Sequence, residues 1–171
     1  MSNFINVQTA IEAQLKDISD RASSMPSTLA SWISEVKGEI SSRVNTTKEN
    51  ITRYNYEGII GKLAEQSSID PKLIMAIICT ESNGAPDADN GSYVGCMQVP
   101  KSQLSLTTNQ TENAQHGIEI GLQILQGKIT AVGDNIMLAV VAYNAGEGIV
   151  LSGAQRAGLS LSSSTKWVDC I

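Results

Sequence analysis

The chain has 171 residues, 42% of them hydrophobic, and a formal net charge of −5; this suits one domain of ordinary size with an appendage and enough apolar content for a core. The acidic balance argues against nucleic-acid binding, and no apolar run approaches the roughly 18 residues of a membrane span. Three cysteines, Cys79, Cys96 and Cys170, are too few and too scattered for a zinc site or a disulfide framework, so neither a metal nor another cofactor is expected.

The start, MSNFINVQTAIEAQ, lacks the basic and apolar regions of a signal peptide. Synthesis in the cytoplasm is expected, with another delivery route for any work outside it. Phe4, Val7, Ile11, Leu15 and Ile18 recur at helical spacing. Glu12/Lys16 and Asp17/Arg21 are acid-first pairs four residues apart, the favourable order on a helix. The stretch SSMPST then breaks the pattern, since Pro26 does not fit a helix interior. A second stripe follows: Leu29, Trp32, Ile33, Val36, Ile40, Val44 and Ile51. Thr46 with Glu49 could form a capping box, so one long helix or two shorter ones both fit. Such stripes need a cover, supplied by the rest of the chain, by a partner or by a second copy.

Charge changes along the chain. Residues 1–55 hold six basic and six acidic residues, whereas residues 56–171 hold six basic and eleven acidic. A boundary near Asn55 follows, with a helical N-terminal region (1–55) before a second domain (56–171). That domain opens with YEGIIGKLAEQSS, amphipathic through Ile59, Ile60 and Leu63. Next, IDPKLIMAIICTES places Asp70 as N-cap and Pro71 at the first helical position, a strong helix start. Leu73 to Cys79 is apolar on nearly all sides, so this helix should cross the core and carry Glu81 at its C-terminal end. Residues 83–96 read as a loop, with a short hairpin near Ser92–Val99. Gln115–Gly127, Asn135–Tyr143 and Glu147–Ala157 read as three further helices. Strand-like alternation is nearly absent, so the fold class is mainly α.

A carboxyl at the end of a buried helix is poorly hydrated, and the partial negative charge of the helix terminus disfavours its ionised form further. Both effects would suit Glu81 to proton donation, as glycosidic cleavage requires. On spacing alone the plainer reading, a solvated glutamate just past a helix, stays open.

The blocks ESNGAP (81–86), GCMQV (95–99) and AYNAG (142–146), in this order, resemble the catalytic domain of the soluble lytic transglycosylases, a family related to goose-type lysozyme. GIEIGLQIL (117–125) adds Ile118, Gly121 and Leu125 to the match. Cys96 and Ile124 depart from the family's usual Leu and Tyr. The resemblance covers about residues 56–155 and implies a lysozyme-like helical domain with a small hairpin, preceded by the N-terminal amphipathic helices. It also implies a peptidoglycan lytic transglycosylase that cleaves the β-1,4 bond between N-acetylmuramic acid and N-acetylglucosamine and leaves a 1,6-anhydro end. Glu81 would be the single acid and base, with Ser82, Gly95, Met97, Gln98, Tyr143 and Asn144 binding or shaping the substrate, a glycan strand.

Other readings bear on the same residues. Asp87 or Asp89 could serve as a second carboxylate and make the enzyme a hydrolysing muramidase, or could simply form turns. His116 reads as a helix-surface residue. The domain could also be an assembly module that keeps the fold. Residues 1–55 are expected to dock into a virion tail or secretion assembly, or to form a homo-oligomer, through Trp32, Val36, Ile40 and Val44, and not to be needed for cleavage. Particle-borne delivery to the wall would make a signal peptide unnecessary. Cys79 and Cys96 are expected close to each other around the cleft, as free thiols.

Overall fold

The computed structural model describes residues 2–22, 27–166 and 168, with the side chains of residues 9, 11–21, 31–166 and 168. The elements are α1 (Ser2–Ala22), α2 (Ser27–Arg53), α3 (Tyr56–Ser67), α4 (Pro71–Ser82), β1 (Tyr93–Val94), β2 (Val99–Pro100), α5 (Gln110–Ala131), α6 (Ile136–Ala145) and α7 (Glu147–Ala157). The fold is mainly α, as the sequence predicts. The chain forms two compact units, Met1–Glu119 and Ile120–Ile171. Pro26 and Cys170 lie outside the described residues. Among the described residues no single helix is long and apolar enough to cross a membrane.

In the first unit, α2 is one helix that passes through Thr46 without a restart. Thr46 is exposed, while Thr47 is fully buried and its hydroxyl donates to Arg43 O within the helix (2.7 Å). Asn55 adopts a left-handed conformation (φ 55°) and turns the chain from α2 into α3. Asp70 caps α4 by accepting from Lys72 N (2.8 Å), with Pro71 at its first position. In α4, Ile74, Met75, Ile77 and Ile78 are buried, but Ala76 is exposed. α2, α3 and α4 pack on one another, and Val44 and Ile51 of α2 and Tyr56 and Ile60 of α3 are buried along with these side chains; Val94, Met97 and Val99 of the hairpin are buried as well. Each fully buried aliphatic side chain there contributes on the order of 1.5–3 kcal/mol. The C-terminal half of the α2 stripe is therefore covered by this chain. Its N-terminal half is more open, with Trp32 59% exposed and Val36 half-buried.

β1 and β2 pair antiparallel, Tyr93 opposite Pro100 and Val94 opposite Val99. The hairpin lies where the turn residues predict it. α5 begins five residues before the expected Gln115, because Asn109 caps it by accepting from Glu112 N (3.3 Å).

In the second unit, Leu125, Val132, Leu138, Ala142 and Val150 are fully or almost fully buried. Asn135, itself buried, caps α6 by accepting from Leu138 N (3.0 Å). Its amide also donates to Ser162 O (2.8 Å) and Thr165 O (2.7 Å), which ties the segment after α7 to the start of α6. α7 spans the eleven residues that the sequence predicts.

Candidate active site

Glu81 occupies the last turn of α4 and is half-buried. The helix stops there because Asn83 (φ 53°) and Gly84 (φ 80°) both adopt left-handed conformations. Two backbone groups close the turn: Asn83 N donates to Cys79 O (3.2 Å), and Gly84 N to Ile78 O (3.3 Å). A Cβ on Gly84 would lie 3.1 Å from Asn50 Cβ, so the close approach of α2 as well as the φ angle selects glycine.

Ser82 joins this helix end to the next sequence block. Its hydroxyl donates to Cys96 O (2.8 Å) and accepts from Gly84 N (3.2 Å). The block Gly95–Gln98 is the turn of the β1–β2 hairpin, closed by Gln98 N donating to Gly95 O (3.1 Å). Gly95 (φ 81°) and Gln98 (φ 48°) are its left-handed residues. Gln98 braces the loop with its amide. Nε2 donates to Gly95 O (3.0 Å) and Ala88 O (3.4 Å), and Oε1 accepts from Asn90 Nδ2 (2.9 Å). Met97 is fully buried. The structure thus gathers Glu81, Ser82, Gly95, Met97 and Gln98, and engages the polar groups of Ser82 and Gln98 within the chain. Tyr143, half-buried, and Asn144, exposed, stand at the C-terminal end of α6 in the second unit.

Both loop aspartates are engaged by neighbours. Asp87 accepts from Gln110 Nε2 (3.2 Å). Asp89 pairs with Lys101 Nζ (2.6 Å) and accepts from Gly91 N (2.8 Å). The Lys101 hydrogen bond, and after it the Gly91 N–H, hold the Asp89 carboxyl below its ordinary pKa. These contacts fit the turn-forming reading. His116 is exposed on α5, where the sequence places it. Among the described residues no group of three or more His, Cys, Asp or Glu gathers to hold a metal ion.

Cys79 and Cys96 are both free thiols. Cys79 is half-exposed and borders an apolar cavity of ≈ 480 Å³ with Ile11, Ile40, Val44 and Met75. Cys96 is fully buried beneath α5, with Sγ 3.7 Å from Ala114 O. Burial pushes its thiol up to about 12.

Several residues that hold this site carry no local sequence signal. Tyr56 is fully buried and donates from its hydroxyl to Gly84 O (2.8 Å). Burial first, and the adjacent Cys96 second, raise its pKa far above the ordinary value, so it remains a neutral donor. Asn50 Nδ2 donates to Asn83 O (3.0 Å). Arg43 Nη1 reaches Thr80 O (3.5 Å). The one visible hint was the dipeptide Asn83-Gly84 after an apolar run, which marks a helix end.

A mainly helical domain thus holds one carboxyl at the end of a core helix, bridged by the next residue to a glycine-bearing turn. Residues 58–161, more than half of the chain, match the transglycosylase SLT domain. The chain belongs to that family, and this segment is its lytic transglycosylase catalytic domain. It is also similar to a curated protein named "Transglycosylase" from Enterobacteria phage PRD1, at 30% identity over 89 residues, 51% of this chain and 33% of that protein. The matched region thus spans about a third of that relative's length. No solved structure matches the chain.

Proposed function

We propose that this domain is a peptidoglycan lytic transglycosylase with a lysozyme-like fold and with Glu81 as its single acid and base. The carboxyl of Glu81 gives its proton to the oxygen leaving C1 of N-acetylmuramic acid, and the bond to N-acetylglucosamine breaks. The resulting carboxylate takes the proton of the same muramic residue's C6 hydroxyl as O6 bonds to C1. The acid is regenerated, a 1,6-anhydro end forms and no water is consumed. The substrate's own acetamido group supports the intermediate, so no second carboxylate is needed.

The observation that carries this reading is the placement of Glu81. It is half-buried at the end of α4 and fixed through Ser82 to the Gly95–Gln98 turn. Asp87 and Asp89, the candidates for activating water, are engaged by Gln110 and Lys101, which favours the transglycosylase over the muramidase. On this reading Tyr143 and Asn144 contact the glycan, and Ser82 and Gln98 shape its site by bracing the loop. The phage origin of the relative supports a wall-degrading role on a virion, with the particle delivering the enzyme to the wall. Residues 1–55 would then dock the domain into the particle or dimerise it, through the open half of the α2 stripe at Trp32 and Val36 with Ile40 beside them; Val44, expected in the same interface, is buried within this chain. Digestion of purified peptidoglycan followed by mass analysis tests the chemistry. Anhydro ends are expected; reducing ends alone would overturn the transglycosylase in favour of the muramidase.

A further inference from the structure

We propose that Asn50 is a positioning residue for Glu81: from α2, outside the family-matched segment, it fixes the last turn of α4 and with it the carboxyl. The proposal rests on the reading of Glu81 as the acid. The last carbonyls of any helix lack partners within it, and the two left-handed residues that end α4 turn Asn83 O and Gly84 O away from the helix ladder. Their donors come from α2 and the start of α3: Asn50 Nδ2 for Asn83 O and Tyr56 Oη for Gly84 O. α2 also presses against this turn, since a Cβ on Gly84 would meet Asn50 Cβ at 3.1 Å and Thr47 O at 3.5 Å.

Tyr56 is part of the core, so its loss would be read as unfolding. Asn50 is only half-buried, and removing its amide spares the core. What it does remove is a restraint two residues from Glu81. A shift of about 1 Å in a reacting group can lower turnover by up to roughly a hundredfold. A single neutral hydrogen bond sets a smaller scale, roughly threefold to tenfold.

The test compares Asn50→Ala and the isosteric Asn50→Asp with Asn45→Ala, an exposed control on the same helix. Two readouts are taken: kcat and KM on purified peptidoglycan, and the carboxyl 13C titration of Glu81 by NMR. Both Asn50 variants should lower kcat roughly threefold to tenfold with KM unchanged, and both should move the Glu81 titration away from wild type. Their melting should fall below that of Asn45→Ala by no more than the few degrees that one lost hydrogen bond costs. Unchanged kcat with a superimposable Glu81 titration would overturn the proposal, as would a kcat loss that only tracks a loss of folded protein. If wild-type protein released no muropeptides, the proposed function would fail instead. The NMR titration would still decide whether Asn50 positions Glu81.

Discussion

Ser82→Ala separates two roles that one hydroxyl could play. The family resemblance would have Ser82 orient the substrate or its acetamido group; in the structure its hydroxyl donates to Cys96 O at 2.8 Å and accepts from Gly84 N at 3.2 Å. Alanine removes both contacts and strips a donor from the carbonyl of a fully buried residue. Losing such a hydrogen bond and leaving a buried acceptor without it costs about 1–3 kcal/mol. For a chain of this size, that is a fall of roughly 2–10 °C in melting temperature. Urea unfolding of the wild type and Ser82→Ala would measure the loss, with the unfolding slope unchanged. Turnover should fall as well, because the bridge between the Glu81 helix end and the Gly95–Gln98 turn is gone. A variant with wild-type stability and a raised KM would refute the reasoning, since the hydroxyl would then serve the substrate and not the loop.

Glu81→Gln should keep the fold and lower peptidoglycan cleavage at least about a hundredfold, because the amide cannot cycle a proton; release of fragments by the folded variant at wild-type rate would exclude Glu81 as the acid. Gly133→Ala should destabilise the protein by at least about 2 kcal/mol in urea unfolding, since Gly133 sits at φ 73° and a Cβ would lie 2.5 Å from the backbone oxygen of Leu161. Under native conditions near pH 8, iodoacetamide should label Cys79 and spare Cys96, which is fully buried with its thiol pushed up to about 12; both should label after denaturation, as peptide mass mapping would show. Asp89 has a depressed folded pKa, so its stabilising effect is complete above the ordinary carboxylate pKa and is lost as pH falls through the lower folded value. Asp89→Asn should therefore narrow the difference in melting temperature between about pH 6 and about pH 3, and an unchanged difference would count against the Lys101 pairing.

Local chemistry made much of the fold legible. Asp70-Pro71 marked the start of α4, the glycine-rich turns marked the hairpin, and α7 lay where its pattern placed it. The start of α5 was missed although Asn109 and Glu112 have capping-box spacing, because the stretch NQTENAQ shows no apolar period. Asn113 within it is nonetheless buried, satisfied by Thr107, and no local rule marks a buried asparagine in a polar run. The restart suggested by Thr46 lost to continuous packing of α2, in which Val44, Thr47 and Ile51 all face inward. At the site, Glu81 and the GCMQV block were marked as candidates by resemblance. The groups that hold them were not, because Asn50 and Tyr56 pair with residues 33 and 28 positions away.

Those distant pairs meet a demand of the proposed reaction. A mechanism with two carboxyl groups can place each against its own proton. A mechanism with one must present the same carboxyl first to the leaving oxygen and then to the C6 hydroxyl. The tolerance for misplacement narrows, since one error is felt in both steps. The end of a helix is a poor place for such a group, because its last carbonyls lack partners and its last turn frays. Here that turn is tied at four points: Arg43 to Thr80 O, Asn50 to Asn83 O, Tyr56 to Gly84 O, and Ser82 to Cys96 O. Three of these ties come from residues before position 58, where the family match begins. The physical unit that holds Glu81 therefore starts within α2, earlier than the segment that the family recognises.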